Sequence, residues 1–75
     1  MDIEDRLRAL ESRYRHALSA SISAKAHYLA ILDEPGSTPA SIKRAREEWA
    51  TLDARKRGIA ARMGEIEDME QHLSA

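Results

Sequence analysis

Charged side chains crowd the second half of this chain: seven basic residues lie between Lys43 and Arg62, including the triplet Arg55, Lys56 and Arg57, against three acidic ones. Cations on a helix can contact the phosphates of structured RNA or DNA, and Lys43, Arg44, Arg55 and Arg57 are the side chains that would do so. Glu47, Glu48 and Asp53 are interleaved with them, as on the solvated face of an amphipathic helix, and no aromatic platform lies on that face. The three histidines, His16, His27 and His72, never stand three or four apart, the spacing at which two imidazoles share a helix face and a metal ion. There is no cysteine, so neither a thiolate site nor a disulfide is available. Carboxylates paired for general acid–base work, a serine set beside a histidine and a glycine-rich phosphate loop are all missing. No catalytic residue, metal site, cofactor or small-molecule substrate is therefore expected, and the chain does not read as an enzyme.

The elements that carry these residues are helices. Alanine, leucine, glutamate and arginine dominate, while valine and phenylalanine are absent. One apolar stripe runs Ile3, Leu7, Leu10, Tyr14, Ala17, Ser21, Ala24, Tyr28, Ile31, and a second runs Ile42, Ala45, Trp49, Leu52, Lys56, Ile59, Met63, Ile66, Glu70, Leu73. Both step alternately by four and three, the spacing that keeps one helix face toward a partner helix. Between them, Pro35 disfavours helix at Glu34, Gly36 supplies a permissive backbone for reversal, and Ser37 or Thr38 can cap a second helix that starts at Pro39. Asp2 can cap the first. The expectation is an all-α chain, a two-helix antiparallel coiled-coil hairpin. Its first helix covers about 3–33, its turn about 34–38 and its second helix about 39–72, in one domain over 1–75. A single uninterrupted helix also fits the heptad phase, but it would hold Pro35 and Pro39 inside at about 3 kcal/mol each.

Folding between Gly36 and Ser37 sets residue n opposite residue 73 minus n. Large then meets small near the turn: Trp49 faces Ala24, Tyr28 faces Ala45 and Leu52 faces Ser21. Ile31 faces Ile42 beside the turn itself. Farther out Tyr14 meets Ile59, Leu10 meets Met63 and Leu7 meets Ile66. Lys56, opposite Ala17, is a polar seam residue whose stem can lie over the alanine while its ammonium reaches water. Asp53 reads as part of the wet face of the second helix.

The first helix has apolar residues beyond those the seam uses: Leu18, Ile22, Leu29 and Leu32, with Lys25 among them, about 100° around from the first stripe. A chain of 75 residues buries little core, and a two-helix hairpin has no enclosed centre, so a partner is expected. The economical arrangement is a homodimer in which two hairpins pack through this face into a four-helix bundle; docking of another protein is the competing use. The function expected is a non-catalytic protein interaction or oligomerisation module of adaptor or co-chaperone type. Nucleic-acid binding through the basic face of the second helix is the alternative.

Twelve basic against thirteen acidic residues leave a net charge of -1, so no global field favours nucleic acid or an anionic membrane. Neither a signal peptide nor an apolar run of membrane-spanning length is read, and a cytoplasmic location is expected. The opening Ile3 to Arg13 resembles the start of many small bacterial coiled-coil proteins. The architecture resembles the short helical hairpins that serve as plasmid-borne RNA-binding dimers or secretion co-chaperones. No motif diagnostic of either group is present, and no functional residue is carried over.

Overall fold

The computed structural model describes residues 2–74, apart from the side chains of residues 70, 73 and 74, so the seam positions expected for Glu70 and Leu73 lie outside the described residues. Two α-helices, α1 (Ile3–Asp33) and α2 (Pro39–Ser74), fold against each other as an antiparallel hairpin. The rod measures 58 × 16 × 16 Å with a radius of gyration of 17.0 Å. A globule of this length would have a radius of gyration of about 11 Å.

Helix α1 begins without the side-chain cap expected from Asp2. That residue occupies the N-cap in an extended conformation, yet its carboxylate makes no capping hydrogen bond. Its carbonyl instead accepts from the Arg6 N–H at 3.2 Å, and Glu4 and Asp5 supply negative charge to the first turn. At the far end Glu34 leaves the helix at φ -80°, ψ 122°, the extended region that the following proline favours. The last carbonyls of α1 are then used closely: Ile31 accepts from the Glu34 N–H at 3.2 Å and from the Ser37 hydroxyl at 2.5 Å.

The reversal needs no left-handed residue. Gly36 does not adopt positive φ, so the conformational freedom expected of it there is unused, and an added Cβ would meet nothing within 4 Å. Ser37 N–H donates to the Glu34 carbonyl at 3.1 Å and closes the turn. Thr38 then caps α2. Its Oγ1 accepts from the Ser41 N–H and the Ser41 Oγ accepts from the Thr38 N–H, both at 3.1 Å, a reciprocal capping box with serine in the place usually held by glutamate. Pro39 follows at the first helical position, where its missing N–H costs nothing.

The seam is thin. Leu10, Ala17, Ser21, Ala24 and Ala45 are buried, and among the described residues no large side chain is fully enclosed. Four of those five residues are small, so the helices can approach closely and the large side chains lie across the joint half-covered. Trp49 and Tyr28 show the pattern: their rings stack diagonally across the seam, centroids 5.8 Å apart and planes inclined by 26°. No helix among the described residues is long and apolar enough to cross a membrane.

Candidate interaction surface

Apolar side chains left in solvent mark one long face of α1. Ile22 is 60% exposed, Leu29 48% and Leu32 46%, while Leu18 is half-buried. These residues recur at steps of four, seven and three, which keeps them on one helix face. Lys25, in the middle of that stripe, is turned back toward the hairpin: its ammonium lies 5.6 Å from the centre of the Trp49 ring. Trp49 thus contacts Tyr28 and Lys25, two α1 residues three positions apart. The result is an apolar strip whose central cation is drawn off to one side.

The residues expected in the seam face α2 with graded burial. Leu10 and Ala24 are buried; Leu7, Tyr14, Tyr28, Ile31, Ile42, Trp49, Leu52, Ile59, Met63 and Ile66 are half-buried. Met69 is 58% exposed near the end of α2, outside the stripe.

Asp53 is the residue that the sequence pattern misplaced. Its side chain is only 17% exposed, against the wet-face position expected for it, and it gathers three partners. Lys56 Nζ lies 3.0 Å from Oδ1, Arg57 lies at 2.5 Å from Oδ2, and the buried Ser21 hydroxyl of α1 donates to Oδ1 at 3.5 Å. The Lys56 hydrogen bond, joined by the charges of Arg57 and Lys56, holds the Asp53 carboxyl below the ordinary carboxylate range against the opposing effect of burial. Lys56, expected to send its ammonium into water, is paired instead. The signal for this cluster was local, an acid three and four residues ahead of two cations, but nothing in the spacing tied it to Ser21.

The four cations considered for nucleic acid do not share one unobstructed surface. Lys43 lies 3.9 Å from Glu47, and Arg57 is held by Asp53. Arg44 borders a shallow depression with Glu47, Glu48, Thr51 and Leu52. Arg55 lines a different trough, with Arg13 and His16 from α1 over a floor of Ala17, Ala20, Leu52 and Ile59. His16 is itself engaged, its Nδ1–H donating to the Ser12 carbonyl at 2.8 Å. Nearer the open end, Arg13 and Arg62 line one groove together with the carboxylate residues Asp5 and Glu65.

Among the described residues no group of three or more histidine, cysteine or acidic side chains is placed to hold a metal ion. No family model matches the chain, and no curated protein or solved structure matches it either.

Proposed function

We propose that this chain is a non-catalytic interaction module that works by burying the apolar face of α1 against another protein surface, in the cytoplasm. The exposure of Ile22, Leu29 and Leu32 along a single face carries the reading. Scattered exposed aliphatics are ordinary, but a helical row of them beside a seam with so little buried area is what an unfilled helix-packing surface looks like. Each side chain of this size contributes about 1.5 to 3 kcal/mol when fully buried, enough together to set an association.

Nucleic-acid binding receives less support, because Lys43 and Arg57 are engaged by carboxylates and Arg44 and Arg55 border separate depressions. Salt dependence tells the two apart: phosphate contacts weaken steeply as salt rises, whereas apolar packing does not. The direct test is the double change Leu18→Asp with Leu29→Asp. Loss of self-association or of partner binding, with helicity kept, is expected. A folded double variant that still associates like the parent sinks the reading.

A further inference from the structure

We infer that the apolar face of α1 is covered by a second copy of this chain, packed antiparallel and staggered, so that each turn lies beside the partner's basic middle and the two open ends point outward. This rests on the reading that α1 supplies the contact face, and it adds the occupant and the geometry.

The face is close to palindromic. Leu18 and Leu32, and Ile22 and Leu29, are placed nearly symmetrically about Lys25 and Ala26. A two-fold contact requires a patch that complements itself. Laid antiparallel about that centre, Leu18 meets the partner's Leu32 and Ile22 meets the partner's Leu29. A lysine at a two-fold axis would ordinarily repel its mate, but the Lys25 ammonium is already drawn away over Trp49.

Charge selects the same arrangement. In the hairpin the open end, residues 2–8 with 65–70, carries seven acidic and two basic residues. The middle, residues 11–32 with 41–62, carries ten basic and four acidic ones, and the turn carries Asp33 and Glu34 with no cation. Two copies in parallel register would set basic middle on basic middle and acidic end on acidic end. Full antiparallel overlap would set each acidic turn on the partner's acidic open end. The staggered antiparallel pair still lays residues 18–32 of one copy on those of the other, but it sets the acidic turn on the most basic part of the middle, residues 11–17 with 56–62, which hold five basic residues and one acidic. Arg15, which continues the apolar stripe one step beyond Leu18, falls level with the partner's Pro35 and Gly36, within one helical turn of the partner's Asp33 and Glu34.

The stagger has a measurable size. Helix α1 is centred at Leu18, whereas the palindrome is centred seven to eight residues nearer the turn. Two copies related about that point are displaced by about 20 Å along the rod at 1.5 Å per residue. A hairpin 58 Å long then gives a dimer of about 80 Å.

The test combines sedimentation equilibrium, small-angle scattering and charge reversal on the full chain, with circular dichroism as the control for folding. A dimer with a maximum dimension of about 80 Å is expected, with Arg15→Glu weakening dimerisation by about tenfold and Asp33→Lys plus Glu34→Lys restoring it in the same chain. A dimer no longer than a single hairpin, or one indifferent to Arg15→Glu, overturns the staggered arrangement while leaving the α1 face intact as the contact. A chain that stays monomeric at millimolar concentration overturns the second copy as occupant and leaves a heterologous partner for that face. A dimer that survives Leu18→Asp with Leu29→Asp shows instead that the contact face itself was misassigned.

Discussion

The buried hydroxyl of Ser21 on α1 donates across the seam to Oδ1 of Asp53 on α2 at 3.5 Å, and Asp53 in turn holds Lys56 and Arg57. Serine at this position therefore does two things: it is small enough for close helix approach, and it links the apolar joint to a charged cluster on the partner helix.

That cluster gives the fold an acid sensitivity of known sign. The Asp53 carboxyl is held below its ordinary value in the folded chain, chiefly by the Lys56 hydrogen bond. Its contribution is therefore complete above the unfolded-state value, roughly pH 4, and is lost as pH falls toward the lowered folded value. The thermal midpoint of the parent should drop on acidification through this window. Asp53→Asn should show a smaller drop over the same window, measured by circular dichroism at 222 nm.

Truncating the aromatic pair should expose how unevenly the seam is built. Trp49 stacks on Tyr28 and carries the Lys25 ammonium over its ring, so Trp49→Ala removes both contacts at once. Because Trp49 is half-buried, the expected loss is about 2 to 3 kcal/mol, less than for a fully enclosed tryptophan. Urea unfolding followed by helicity measures it; a loss under about 0.5 kcal/mol would contradict the stacking.

The two helix starts should respond differently to the same kind of substitution. Thr38→Ala breaks the reciprocal pair with Ser41 and should cost about 1 kcal/mol. Asp2→Ala removes only a charge near the helix dipole, since its side chain caps nothing, and should cost about 0.5 kcal/mol or less. Equal losses in a denaturant titration would show that the Asp2 carboxylate is capping after all.

Glycines within α2 offer stabilisation. An added Cβ meets nothing within 4 Å at Gly58 or Gly64, and neither has positive φ. Gly58→Ala and Gly64→Ala should each raise stability by about 0.5 to 1 kcal/mol. The same substitution at Gly36 should be tolerated, since the turn makes no use of its freedom. A lowered unfolding midpoint for any of the three would reveal contacts at that position that the hairpin alone does not contain.

The hairpin itself was legible because two signals of different kind agreed: heptad spacing on both sides and the Pro35 to Pro39 break between them. Small residues also spoke clearly, since Ala24 and Ala45, expected opposite large rings, are buried. What escaped was side-chain direction. Asp53 borders the seam, and spacing alone cannot say whether such a residue turns to water or inward to a serine on the other helix. The register sets Tyr28 and Trp49 each opposite an alanine, but long flat rings reach diagonally past those alanines and find each other. Residue preference predicts a positive-φ turn at Gly36 and a side-chain cap at Asp2, and backbone groups meet both demands instead. The exposed α1 stripe is visible as a pattern, whereas the turning of Lys25 away from it is a matter of side-chain direction, which spacing does not carry.

Because the two helices are nested about one turn, the loop closed by each cross-seam contact lengthens steadily away from it. The Tyr28–Trp49 stack joins residues 21 apart, the Ser21–Asp53 hydrogen bond residues 32 apart, and the open-end groove brings Leu10 near Ile66, 56 apart. Bridging an outer pair first means closing the longest loop before any inner contact has shortened it. On loop length alone the expected order of assembly is from the Thr38 cap outward, with unzipping from the ends. Amide hydrogens should exchange in a gradient along the rod, slowest near Ala24 and Ala45 and fastest at the open end.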